Sequence, residues 1–81
     1  ALAQEGARFG ITVNAIAPGY VDTDMVRAVP ADVLQKIIAR IPMGRLGHAD
    51  DIARGVCFLT ADEADFITGS TISINGGQHM Y

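Results

Sequence analysis

Residues 11–17, ITVNAIA, place the strongest constraint on the fold of this chain. Apolar residues fall on both alternating faces of the segment, which contains the β-branched residues Ile11, Val13 and Ile16. A strand that is apolar on both faces is typical of a parallel sheet covered by helices, whereas a half-solvated strand alternates apolar and polar residues. Pro18-Gly19 ends the strand, because proline cannot donate to the ladder and glycine permits turn dihedrals. The segment therefore predicts a buried strand of an α/β fold.

The other elements follow from local patterns. Residues 1–5 are strong helix formers and are predicted to end a helix, with Gly6 or Gly10 as its left-handed stop. Apolar residues at helical spacing predict helices from about Pro30 to Arg40 and from about Ala49 to Leu59, and Thr71 to Ile74 make a final short strand. The order predicts one βαβ unit. Two strands cannot cover both faces of their own sheet, so we expect the chain to be a fragment whose sheet other sequence completes.

Composition excludes several classes of function. The net charge is −3 and the six basic residues are scattered, which argues against a nucleic-acid surface. A single cysteine, Cys57, excludes an intramolecular disulfide framework and is expected to be an inert buried thiol. His48 and His79 have no Cys or carboxylate at ligand spacing, so no metal site is predicted. No apolar run is long enough for a membrane span and no secretory signal opens the chain, so we expect a cytoplasmic protein.

Two longer stretches carry a family resemblance. ITVNAIAPGYVDTDM and PMGRLGHADDIARGVCFLTADEADFITGSTISINGG closely resemble the C-terminal third of the short-chain dehydrogenase/reductases, and the match covers essentially all 81 residues. The resemblance implies that residues 1–81 are the C-terminal part of a single Rossmann-type domain. Its doubly wound parallel α/β sheet is represented here by a helix end, a strand, lid helices, a helix and a strand. Within the family the chain looks most like homotetrameric enzymes that reduce 3-oxoacyl thioesters with NADPH.

The resemblance assigns cofactor roles to the turn after the first strand. Pro18 and Gly19 are expected to lie against the nicotinamide, and the Thr of the family motif, here Thr23, to bind the cofactor amide or a phosphate. The Val21 backbone N–H and the Thr23 hydroxyl can both donate to a carboxamide. Ligands of open α/β sheets bind beyond the carboxyl ends of strands, which is where this turn lies. Taken alone, a Pro-Gly pair is more typical of a turn without a ligand. The implied cofactor is NADP(H), and the choice of NADPH over NADH rests on the resemblance alone.

Gly19, Tyr20 and Met25 are the candidate substrate-binding residues. The resemblance places a Tyr facing the substrate in acetoacetyl-CoA reductases, where carrier-protein reductases often have Phe. A tyrosine hydroxyl can orient a short oxo-thioester by one hydrogen bond, and the same residue suits the rim of a pocket. Met25 lies in the stretch that matches the substrate-covering helices, where it suits either the acyl chain or packing under the lid. The resemblance places a basic residue at the position of Phe9 in carrier-protein reductases, where it meets the acidic carrier. Here Arg8 lies beside Phe9, so the docking charge is displaced or lost.

No catalytic residue is assigned within these 81 residues. The family pattern of a Ser and a Tyr-x-x-x-Lys is absent, since Tyr20 is followed four places later by Asp24 and the one lysine is Lys36. Asp22 and Asp24 form either an acid–base pair or solvent-facing charges, and Arg45 is expected to form a salt bridge or anchor its loop. The implied function is reduction of acetoacetyl-CoA. The alternatives are a 3-oxoacyl-[acyl-carrier-protein] reductase and a non-catalytic structural fragment.

Overall fold

The computed structural model describes residues 1–79 and contains helices around a parallel pair of strands. The elements are α1 Leu2–Ala7, β1 Ala15–Pro18, α2 Asp24–Arg27, α3 Ala31–Ala39, α4 Ala49–Thr60, a 3₁₀ turn Asp62–Ala64 and β2 Thr71–Ile74. β1 and β2 pair in parallel, with Ala15 opposite Thr71 and Pro18 opposite Ile74. The helices α2, α3 and α4 form the crossover that a parallel pair requires. The predicted α/β class and order of elements are confirmed.

β1 is shorter than the strand predicted over residues 11–17. Its ladder begins only where β2 begins, at Thr71, and the preceding residues run beside a loop instead of a strand. Asn14 bonds to that loop, because its side-chain amide donates to the Ile67 carbonyl at 2.9 Å and its Oδ1 accepts from the Ser70 N–H at 3.0 Å. Before β1, side-chain hydrogen bonds thus act beside a backbone bond from the Gly69 N–H to the Val13 carbonyl at 2.8 Å.

α4 packs against both strands and covers the sheet only in part. Gly55 permits the close approach, since a Cβ at this position would lie 2.5 Å from Ile74 Cδ1. Within residues 1–79 no other helix packs extensively on the strands, and the residues of β1 and β2 remain half-buried or exposed. The prediction that β1 is buried on both faces is therefore wrong for this chain, because its own helices cover too little of the sheet.

The described chain is elongated. It measures 50 × 21 × 19 Å, and its radius of gyration is 15.7 Å, against about 12 Å for a compact domain of this length. The buried apolar residues are Ile41, Leu46, Leu59 and Ala64. Large apolar side chains are exposed, among them Leu2, Phe9, Ile11, Met43, Phe58 and Phe66. Such surface is what further sheet and helix would cover, in agreement with the expected fragment of a larger parallel sheet.

The helix boundaries agree with the sequence to within one or two residues. Pro30 is the N-cap of α3 and not its first helical residue, and Gly10, with φ of 73°, supplies the left-handed stop that follows α1. Cys57 lies on α4 but is exposed, so the expectation of a buried thiol is wrong. None of the helices within residues 1–79 is long and apolar enough to cross a bilayer.

Candidate functional site

Gly19 extends the ladder one residue beyond β1. Its N–H donates to the Ile74 carbonyl at 3.0 Å. A Cβ at this position would lie 2.7 Å from Asn75 Cβ and 2.9 Å from Asn75 Cα, so the backbone leaves room only for glycine. The sequence interpretation gave Gly19 a role toward a ligand. The structure adds a contact with Asn75, for which the sequence carries no signal.

Val21 is held by a short parallel bridge to Gly47. The Gly47 N–H donates to the Tyr20 carbonyl at 2.9 Å, and the Asp22 N–H donates to the Gly47 carbonyl at 2.8 Å. These two bonds are made by the residues on either side of Val21. Successive backbone groups of an extended chain alternate in direction, so the N–H of Val21 itself points away from Gly47. In the described part of the chain this N–H has no hydrogen-bond partner. Val21 therefore presents a free donor beside the end of β1.

Thr23 is the N-cap of α2. Its Oγ1 accepts a hydrogen bond from the Val26 N–H at 3.3 Å, which fixes the side chain at the start of the helix. A hydroxyl that accepts one bond retains its proton for donation. Thr23 and Val21 are two residues apart, so a fixed hydroxyl and a free N–H lie at the same end of the sheet. These are the two donors that the sequence interpretation assigned to a carboxamide.

Asp22 is engaged in an ion pair. Arg27 Nε lies 2.7 Å from Asp22 Oδ1 and Arg27 Nη2 lies 3.0 Å from Oδ2, which is the two-bond geometry of a guanidinium and a carboxylate. These hydrogen bonds lower the pKa of Asp22 and raise that of Arg27. A carboxylate held ionised by an arginine is a poor proton donor, so the structure favours the solvent-facing charge over an acid–base pair with Asp24.

Two of the three candidate substrate residues, Tyr20 and Met25, differ in their surroundings. Tyr20 is partly exposed and borders a cleft against α3, lined by Val33, Lys36, Ile37 and Arg40. It therefore lies on a pocket rim, one of the two positions that the sequence allows. Met25, on α2, is 84% exposed, so it does not pack beneath the lid helices within this chain.

Asp51 ties the loop before α4 to the helix. Its Oδ2 accepts from Arg45 Nη1 at 2.9 Å and from the His48 N–H at 2.7 Å. The Arg45 hydrogen bond, and after it the His48 N–H, lower the pKa of Asp51 from 3.8 to about 2. The salt bridge expected of Arg45 is confirmed. The sequence places Asp51 in the first turn of α4, where a carboxylate suits the helix dipole. Its capping bond and its ion pair are not predicted there, although an acid three residues after the N-cap is their signal.

The Asp51 interactions predict an acid-dependent loss of stability. A carboxyl group whose pKa is lower in the folded state stabilises the fold fully above the unfolded value of 3.8 and loses that contribution as the pH falls toward about 2. We expect Asp51→Asn to lower the thermal unfolding midpoint at pH 6, and the difference from wild type to shrink toward pH 2. A difference that stays constant over this range would contradict the assignment.

No group of three or more His, Cys, Asp or Glu side chains in the described residues is arranged to hold a metal ion. The site thus consists of backbone and hydroxyl donors on the turn after β1. Pro18 closes β1, Gly19 meets Asn75, and Val21 and Thr23 supply the donors. Such an arrangement suits a neutral acceptor such as an amide oxygen.

Comparison with known proteins gives close matches. The family model described as enoyl-(acyl carrier protein) reductase matches residues 1–79. The acetoacetyl-CoA reductase of Shinella zoogloeoides is 70% identical over 79 residues, which are 96% of this chain and 33% of that protein. The 3-oxoacyl-[acyl-carrier-protein] reductase FabG of Salmonella typhimurium is 53% identical over 79 residues, 98% of this chain and 32% of the relative. The acetoacetyl-CoA reductase of Cupriavidus necator is 52% identical over 80 residues, 99% of this chain and 32% of the relative.

The chain spans about one third of the length of the curated relatives it matches. The family model matches residues 1–79 of this chain, and this range includes both the turn after β1 and the loop before α4. The resemblance inferred from the sequence is therefore confirmed, and the chain belongs to the short-chain dehydrogenase/reductase family.

Proposed function

We propose that this chain is the C-terminal part of a cytoplasmic, homotetrameric, NADPH-dependent reductase. Its substrate is a 3-oxoacyl thioester, acetoacetyl-CoA, which it converts into the 3-hydroxyacyl thioester. One observation carries the proposal: the Val21 N–H is turned away from Gly47 without a partner in residues 1–79, two residues before a hydroxyl fixed at an N-cap. A free N–H and an oriented hydroxyl match the acceptor oxygen of a nicotinamide carboxamide.

The residues of this chain bind and orient in the proposed reaction. Pro18 and Gly19 form a wall for the nicotinamide ring, while Val21 and Thr23 donate to its carboxamide. When bound, the cofactor supplies the hydride that the substrate carbonyl carbon accepts. The carbonyl oxygen must take a proton from a donor outside these 81 residues, since the Tyr-x-x-x-Lys pattern is absent from them.

The helices α2 and α3 act as the substrate cover. Tyr20 borders the cleft against α3, where its hydroxyl can bond a short oxo-thioester while Val33 and Ile37 offer apolar contact. The backbone of Gly19, which carries no side chain, lies at the same end of the sheet, close to the substrate. Met25 is exposed on α2, and a flexible thioether of this kind gains burial when an acyl chain lies beneath it.

The second candidate is reduction of a carrier-protein thioester. It is supported by the 53% identity to the Salmonella typhimurium reductase, and a named acetoacetyl-CoA reductase from Cupriavidus necator is no more similar, at 52%. Overall identity therefore does not separate the two substrates. Tyr20, the apolar Phe9 and the 70% identity to the Shinella zoogloeoides enzyme favour the CoA thioester.

Kinetics of the complete protein test this choice. We expect kcat/KM with NADPH to be about tenfold higher for acetoacetyl-CoA than for the acetoacetyl carrier protein, because Phe9 offers the acidic carrier no charge. The variant Phe9→Arg is expected to raise the carrier-protein rate and leave the CoA rate unchanged. Equal rates for the two thioesters would contradict the CoA preference, and no NADPH oxidation with either would support the non-catalytic alternative.

A further inference from the structure

The Val21–Gly47 bridge depends on the loop that precedes α4. Gly47 lies between Leu46, which is buried, and His48, the N-cap of α4. Arg45 Nη1 donates to the Leu46 carbonyl at 2.9 Å and to Asp51 Oδ2 at the same distance. The loop is therefore fixed on both sides of Gly47 by groups that converge on one carboxylate.

A continuous series of short hydrogen bonds joins this carboxylate to the cofactor turn. Asp51 Oδ2 accepts the His48 N–H at 2.7 Å, and the adjacent Gly47 donates to the Tyr20 carbonyl at 2.9 Å and accepts from the Asp22 N–H at 2.8 Å. The last two bonds determine which way the Val21 N–H points. Neither Asp51 nor Arg45 belongs to the turn itself.

We infer that Asp51 and Arg45 are positioning residues for the nicotinamide end of the cofactor, acting through the Gly47 bridge on the Val21 N–H. This inference rests on the proposed function. Without the Asp51 carboxylate the His48 N–H loses its acceptor and Arg45 its ion pair. Gly47 is then held less firmly, and the Val21 N–H is no longer fixed in one orientation toward the carboxamide. We expect the part of the cofactor that lacks nicotinamide to bind as before, because the donor that the bridge orients, the Val21 N–H, is the one assigned to the carboxamide.

The experiment compares two ligands on the complete protein by their dissociation constants: NADPH, and 2′-phospho-ADP-ribose, which lacks the nicotinamide. For Asp51→Ala we expect NADPH to bind about tenfold more weakly, as for one lost charge-assisted hydrogen bond, and 2′-phospho-ADP-ribose to bind as to wild type. Asp51→Glu should restore NADPH binding, because glutamate closes the same capping box. Arg45→Gln is expected to weaken NADPH binding selectively in the same way, and it serves as the test if the alanine variant folds poorly.

Arg54→Gln is the matched control. Arg54 lies 3.6 Å from Asp51 Oδ1, is 78% exposed and touches neither of the Oδ2 bonds, so its removal should leave both dissociation constants unchanged. Equal weakening of both ligands in Asp51→Ala and Arg45→Gln, or no weakening of NADPH in either, would overturn the inference. A wild-type protein that binds neither ligand would instead contradict the proposed function.

Discussion

An alanine in place of Gly19 is expected to lower kcat/KM of the complete reductase by about a hundredfold, or ~2.7 kcal/mol of transition-state stabilisation. The new Cβ would lie 2.7 Å from Asn75 Cβ and 2.9 Å from Asn75 Cα. The second of these atoms is backbone, which cannot rotate away. The end of β1 must therefore separate from β2, breaking the bond from the Gly19 N–H to the Ile74 carbonyl and displacing the donors of Val21 and Thr23.

Gly55→Ala is the control for this variant, because it also places a Cβ too close to a neighbour. At Gly55 the nearest atom is Ile74 Cδ1, 2.5 Å away, at the end of a side chain that can change rotamer. Alanine also favours the interior of α4 by about 1 kcal/mol over glycine. We expect Gly55→Ala to retain activity within about twofold. If Gly19→Ala retained as much activity as Gly55→Ala, the contact between Gly19 and Asn75 would not shape the site.

The elements that the sequence predicted best are those with local boundaries. β2 was predicted at its observed residues, Thr71–Ile74, and residues with positive φ, Gly69 and Gly76, lie on either side of it. The limits of β1 were wrong because its local pattern runs on toward Ile11, whereas the length of a ladder is decided by where the partner strand begins. A pattern along one strand contains no information about that point.

The site divides in the same way. The roles of Val21 and Thr23 follow from the family resemblance of one contiguous stretch, and the structure gives one a free N–H and the other a capping hydroxyl. Gly47 and Asn75 reach the turn from distant parts of the chain, and no local pattern connects them to it. The burial of Cys57 was wrong for a related reason: helical spacing identifies a face, but the neighbouring surface decides whether that face is covered.

Replacement of Thr23 by valine is expected to weaken NADPH binding by about thirtyfold, or ~2 kcal/mol. Two contributions add to this loss. Without the N-cap bond from the Val26 N–H, the start of α2 frays in the free protein and NADPH binding must order it again, which costs about 1 kcal/mol. The hydroxyl proton offered to the carboxamide is also lost, which costs about another 1 kcal/mol. Thr23→Ser keeps both groups, so it should bind NADPH nearly as wild type does.

The variant Thr23→Asp separates the two contributions, because aspartate is a good N-cap but, when ionised, has no proton to donate. We expect it to preserve the thermal unfolding midpoint and still to bind NADPH more weakly than Thr23→Ser, since its carboxylate can only accept and faces the carboxamide oxygen, which is also an acceptor. Titration of NADPH fluorescence measures both variants. Wild-type affinity in Thr23→Asp would mean that Thr23 only caps α2, and the carboxamide would then depend on the Val21 N–H alone.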